Sequence, residues 1–334
     1  MHYVISHQDA YWLWYNAGPD YLRSCRRSTL TTLDGAAGKA RDLARFDLSP
    51  IATALVPPPE LLKKAIVDLE TRHALVPTGT DGRQAKGFAR HRWKGKVPKG
   101  SLVVVGQGIL ACSPELCLMQ LSRELSTIEF MRWAMALCGC YHLEQGKAKE
   151  REPVTSVARI TAMLDGCSGH WGSRSCRQAL RYMRDGARSP KEIELYLMLC
   201  LPSEMGGYGL DGSVLNWRRD LKDEAEFAIA DRPDRRYVEG DICWPDQQVV
   251  VEYLGKDHDD TLSQDRRRTN MMQALGLEVV QVDRWQMRDP ALVDVAARTT
   301  AHHLGRDLPE QTQEWLARRG MLRETLLGAG RIHM

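Results

Sequence analysis

The chain has 334 residues, 43% of them hydrophobic and 27% charged, with a net charge of +3. That length supports two domains with cores of their own, and the composition is ordinary for a soluble globular protein without repeats or low-complexity segments. So small a positive excess does not by itself mark a nucleic-acid binder. Nine cysteines without disulfide-framework spacing, and no signal peptide or apolar run of membrane length, point to a reducing cytoplasm.

Aromatic residues crowd the first 25 positions: Tyr3, Tyr11, Trp12, Trp14 and Tyr15. They predict a short buried helix at a domain edge, with Ser6 as its N-cap before His7. Pro57-Pro58-Pro59 opens a second helix, with Leu61, Leu62, Ile66 and Leu69 as its apolar face. From His73 to Leu110 short strands and turns are expected, with a basic loop between them. Arg83, Lys86, Arg90, His91, Arg92, Lys94, Lys96 and Lys99 interleave there with Phe88 and Trp93. Cations among aromatics suit a phosphate backbone and stacked bases, which makes Arg90, Arg92 and Lys94 candidate nucleic-acid contacts. The simpler reading is a solvated hairpin whose Trp93 packs inward.

Ser113-Pro114-Glu115 begins a helix, and another is expected over 127–141. Cys112, Cys117, Cys138 and Cys140 lack the short paired spacing of structural zinc and read as buried thiols. Cys167, His170 and Cys176 form a metal alternative of the same kind. The turn at Gly186–Ser189 separates a mostly helical α+β domain, 1–185, from an α/β domain, 186–334. The second opens on Ser189-Pro190-Lys191-Glu192, a capping box with proline in the first turn, and its helix runs to Cys200. A glycine-rich loop follows, then a strand near Val214–Arg218.

The stretch from Gly240 to His258, GDICWPDQQVVVEYLGKDH, carries the chemistry. VVVEYL is β-branched and apolar, as in a strand buried on both faces, and a carboxylate there is costly unless paired. A four-residue loop over 245–248 sets Cys243 opposite Val250 and Asp241 opposite Glu252. Opposed residues share a face with Cβ atoms about 5 Å apart, so the two carboxylates repel unless a cation joins them. A divalent metal on oxygen ligands is the most economical account. Beyond His258, Ser263 caps a helix with Met272 and Leu275 inward and Gly276 at its end. A buried strand over 277–282, a helix over 290–304 and a terminal helix docking on the first domain complete the chain.

Asp241, then Glu252-Tyr253-Leu254-Gly255-Lys256-Asp257-His258, resembles the PD-(D/E)XK nuclease superfamily, in the branch of the very-short-patch-repair endonucleases. The match holds at Asp241, Glu252, Gly255 and His258 and departs at Leu254, where the family usually has a carboxylate or lysine. The resemblance implies a restriction-endonuclease-like mixed-sheet sandwich and a metal-dependent DNA endonuclease using Mg²⁺ or Mn²⁺. It implies Asp241 and Glu252 as metal ligands, and Glu192 of the first helix turned toward them. His258 is then the proton donor or water-orienting group, and Lys256 a stabiliser of transition-state charge. Asp265 and Arg268 match a recurrent Asp-x-x-Arg, with Arg268 or Arg266 set on a DNA phosphate. Position 254 lies opposite Glu239, which is long enough to supply the missing ligand. The alternative, favoured by Leu254, is a catalytically degenerate nuclease-like protein that binds DNA or acts as an antitoxin-like regulator. In layout the region before residue 186 resembles the N-terminal part of AbiEi-type antitoxins, which implies a toxin-like or other protein partner.

Overall fold

The computed structural model describes residues 1–58, 71–80, 86–222, 236–255 and 262–328. They fall into two units, Met1–Met183 and Arg184–Gly328. The helix expected after Pro57 lies outside the described residues. No helix among those described is long and apolar enough to cross a membrane.

The aromatic N-terminus forms a strand as well as a helix. β1 (Tyr3–Ile5) leads directly into α1 (His7–Asn16). Tyr3, Val4 and Ile5 are buried, and β1 lies inside a six-stranded mixed sheet. The strand order is β2 (Arg26–Arg27), β5 (Leu102–Gly106), β6 (Ile109–Cys112), β1, β3 (Arg72–Pro77), β4 (Phe88–Trp93). α1 is not at the domain's edge. Tyr11, Trp12, Trp14 and Tyr15 are all buried, and the Tyr11 and Trp12 rings lie 4.5 and 5.0 Å from that of Trp133. Two of the polar tips find backbone acceptors, Tyr11 Oη donating to Trp133 O and Trp14 Nε1 to Cys112 O, whereas Trp12 Nε1 is buried without one. Ser6 does not cap the helix; its Oγ lies 3.0 Å from His7 Nδ1 instead.

Two apolar helices pack beside α1. Ser113 caps α2 (Pro114–Leu121), and Ser126 with Glu129 makes a capping box for α3 (Thr127–Cys138). α3 stops three residues short of the expected end, because Tyr141 already belongs to a two-stranded ribbon, β7 (Tyr141–Glu144) with β8 (Lys147–Glu150). The basic segment is not a hairpin: β3 and β4 pair in parallel, with Arg90 opposite Ala74 and Arg92 opposite Val76. Trp93 does pack inward, stacked on His170 at 4.4 Å. Helices α4 (Val157–Asp165) and α5 (Ser173–Leu180) follow the ribbon, and all nine cysteines are free thiols, seven of them buried.

In the second unit a four-stranded sheet runs β12 (Glu278–Asp283), β11 (Val249–Leu254), β10 (Tyr237–Trp244), β9 (Val214–Asp220). β9, β10 and β11 are antiparallel neighbours, and β12 returns parallel to β11 after a crossover carrying α7 (Leu262–Ala274). Helix α6 (Pro190–Cys200) precedes the sheet, and α8 (Pro290–Leu304) follows it. Ser263 falls inside α7, whose first described residue is Leu262. Met272, Leu275 and Leu277 join Val238, Cys243 and Val250 in one buried cluster. The terminal helix α9 (Gln313–Leu327) packs within its own unit, where Trp315 Nε1 donates to Gly207 O. Arg319 lies 4.0 Å over the Tyr208 ring and 3.2 Å from Asp294.

Candidate active site

The turn Pro245–Gln247, closed by Gln248 in the left-handed region at φ 57°, sets the hairpin register. Ile242, Cys243 and Trp244 pair with Val251, Val250 and Val249. Continued one step, that register places Asp241 opposite Glu252, but the backbone ladder is not continued there. The Tyr253 N–H donates to Asp241 Oδ2 at 2.8 Å, and the Asp241 N–H to Glu252 Oε1 at 3.3 Å. Each carboxylate thus replaces a carbonyl as the acceptor between the strands.

The alternation of faces along β10 is interrupted at the same point. Val238 and Cys243, five residues apart, share one cluster, although a regular strand would turn them to opposite faces. A Cβ on Gly240 would stand 2.5 Å from Val250 Cγ1 and 2.6 Å from Cys243 Sγ, so only glycine fits. Across on β9, Asn216 takes φ 50°, between the Trp217–Gly240 and Leu215–Ile242 pairs. Interruptions of this kind re-aim side chains next to functional sites.

Three acidic groups gather here, Glu192 and Glu252 buried and Asp241 half-buried, in a looser cluster than three ligand atoms within 4.8 Å of one another. Glu252 Oε2 is 3.0 Å from Arg268 Nη2 on α7, and that same nitrogen donates to the backbone oxygen of Glu239 at 2.6 Å. Glu239 Oε2 accepts from Arg188 Nη1 at 2.5 Å, so the guanidinium of Arg188 already engages the carboxylate expected to compensate for Leu254. Glu192 is only half a capping box. Its N–H donates to Ser189 Oγ, but its carboxylate accepts from the N–H of Arg188, one residue before the cap, and from Asn216 Nδ2 at 2.7 Å. Those bonds swing Glu192 toward β9 and β10.

Burial raises the pKa of all three acids. Glu192 is pushed up to about 7 by desolvation and then by the charge of Asp241. Asp241 is raised by burial, against the opposing Tyr253 N–H and Arg268. Glu252 is held well above the usual carboxylate range, by burial first and Asp241 second. With Glu239, four carboxyl groups face the two guanidiniums of Arg188 and Arg268. Two negative charges are left over, to be met by protons or by a cation. The donor atoms are all oxygens, which fits a hard divalent ion such as Mg²⁺ or Mn²⁺ better than a soft one.

Lys256 and His258 lie outside the described residues. Arg268 points inward to Glu252, whereas Arg266 is exposed on the same helix. Arg90, Arg92 and Lys94 belong to the other unit, where they line a cleft. Cys167 and Cys176 are buried thiols, with burial pushing their pKa up to about 11 and about 12, and His170 stacks on Trp93 rather than joining them. Sequence reasoning missed Arg188 and Asn216. An asparagine inside a strand pattern was the available signal, since strands are depleted in it. No protein family, curated protein or solved structure matches the chain.

Proposed function

We propose that the second unit is a metal-dependent phosphodiesterase acting on DNA, of the PD-(D/E)XK nuclease type. The observation that carries it is the placement of Asp241 and Glu252 at one rung of the hairpin, each carboxylate accepting an inter-strand N–H, with Glu192 turned toward the same strands. The order helix, three antiparallel strands, crossover helix and parallel strand supports the same reading, since it is the core the resemblance implies. Asp241 and Glu252 would hold Mg²⁺ or Mn²⁺, with Glu192 beside them. Such an ion, when bound, polarises a phosphate and lowers the pKa of a water. The chain's own groups do the rest. The Tyr253 N–H fixes the Asp241 carboxylate, Asn216 and the Arg188 N–H fix that of Glu192, and the inward Arg268 offers a guanidinium at the same place.

Purified protein incubated with plasmid DNA and Mg²⁺ should nick it, and Glu252→Gln should lose at least about a hundredfold in rate while keeping its fold. Cleavage unchanged by that substitution would assign the activity elsewhere.

A second reading rests on the Arg268–Glu252 ion pair together with Leu254: the guanidinium supplies part of the charge that a metal would, as in a nuclease-like domain that binds DNA without cutting it. A gel shift of DNA without Mg²⁺-dependent nicking would favour this reading.

A further inference from the structure

We propose that the N-terminal unit holds one divalent transition-metal ion, of the zinc or iron(II) class, between His7, His91 and Glu124 at the floor of a cationic cleft. Ligand atoms of these three side chains lie within 4.8 Å of one another, the one such set among the described residues. His7 Nε2 and Glu124 Oε1 are 3.5 Å apart, close to the roughly 3.3 Å edge of a tetrahedron whose metal–ligand bonds are about 2.0–2.1 Å. The residues come from three separate places: the first position of α1, the middle of β4 and the turn after α2.

The surroundings orient them. His7 adopts φ 52°, a left-handed conformation that a non-glycine residue enters at a cost, and one that functional sites often retain. Ser6 Oγ lies 3.0 Å from its Nδ1, which leaves Nε2 turned to Glu124. His73 Nδ1 lies 2.9 Å from His91 Nε2, so a second imidazole holds the ring of the first. Metal-bound histidines are commonly fixed in this way through their other nitrogen. Two imidazoles and one carboxylate select a borderline ion over Mg²⁺ or Ca²⁺, and leave coordination positions open. The open side faces a cleft of about 1240 Å³ rimmed by Arg90, Arg92, Lys94 and Arg123, so an exogenous ligand there would be an anion.

The competing account is a hydrogen-bonded cluster with no ion. The His7 and His91 rings are stacked with centroids 3.4 Å apart and planes 18° from parallel, so the lone pairs of their ring nitrogens lie in nearly parallel planes. A metal requires the rings to fan open until those lone pairs converge, and that movement is itself a signature.

The test is titration of the full chain, stripped of metal, with Zn²⁺ against a chromophoric chelator, and separately with Co²⁺ as a spectroscopic probe. The expected result is one Zn²⁺ per chain, a visible Co²⁺ spectrum without thiolate charge transfer, and shifted histidine ring resonances. Glu124→Gln and His91→Gln should each weaken binding about a hundredfold or more. His73→Asn, a positioning change, should cost about ten- to a hundredfold. Glu124 is partly exposed and its replacement isosteric, so that variant should melt at the parent's temperature. Glu252→Gln should bind Zn²⁺ as the parent does, which separates this site from the carboxylates of the second unit. No Zn²⁺ binding, a thiolate charge-transfer band, or parental affinity in a folded Glu124→Gln would each overturn the assignment.

Discussion

Arg268 Nη2 stands 3.0 Å from Glu252 Oε2 and 2.6 Å from the backbone oxygen of Glu239. One guanidinium on the crossover helix thus ties together the two central strands of the second unit. It balances one of the buried acids, while Asp241 relies on a peptide N–H and Glu192 on an amide and a second N–H.

Arg268→Gln should therefore destabilise the second unit at neutral pH. Breaking a fully buried pair costs about 3–5 kcal/mol, and since Arg268 is 39% exposed the cost here should be about 1–3 kcal/mol. The deficit should shrink as pH falls, because Glu252 takes up a proton and no longer needs the partner. Urea denaturation of parent and variant at pH 7.5 and pH 5.5 measures both statements. A deficit equal at the two pH values would mean that the arginine acts through packing alone.

The raised carboxyl pKa values also fix a sign for the metal-free protein. An acid whose folded pKa lies above its unfolded value binds more protons when folded, so stability falls as pH rises between the two. For Glu192 that window runs from the ordinary carboxylate value up to about 7, and Asp241 and Glu252 act in the same direction. Melting temperature in EDTA should decline as pH is raised from 5 to 8, and Glu192→Gln should flatten the slope.

Divalent cation should reverse that decline. Mg²⁺ competes with protons for the same oxygens, so its stabilising effect should grow from pH 6 to pH 8. At about a hundredfold excess over Kd it is worth about 2.7 kcal/mol. Calorimetric melts with and without Mg²⁺ show this directly, and Asp241→Asn should abolish most of the difference. Equal Mg²⁺ stabilisation in that variant would remove Asp241 from the ligand set.

Gly240→Ala tests the interrupted strand. Its methyl would meet Val250 and Cys243 at 2.5–2.6 Å, inside contact distance. Overpacking of this kind costs typically about 1–3 kcal/mol, and it should also displace Glu252, whose Oε1 lies 3.4 Å from the same point. A crystal structure of the variant, or its urea midpoint, would reveal an absence of strain.

Much of the second unit could be read from residue patterns, because its signals are local. The Pro245 turn and the apolar run after it fixed the register of Cys243 with Val250, and Ser189-Pro190 fixed the start of α6. What escaped the reading was set by contacts between distant segments. The acceptor swap at Asp241, the left-handed Asn216 and the reach of Arg188 to Glu239 depend on three chain segments meeting. In the first unit the same limit is sharper. His7, His91 and Glu124 are separated by 84 and 33 positions, and no spacing rule connects them. The parallel pairing of β3 with β4 was missed because a basic segment of alternating residues looks the same in a hairpin.

The connectivity of the second sheet also dictates the order in which the chain can assemble. β10 and β11 are joined by a four-residue turn and can close early, whereas β12 and the helix bearing Arg268 lie beyond it in the crossover and must join later. Asp241 and Glu252 are thus brought side by side before their guanidinium partner arrives. The folding barrier carries that repulsion, so refolding should run faster in mild acid than at pH 8, even though both conditions lead to the same sheet.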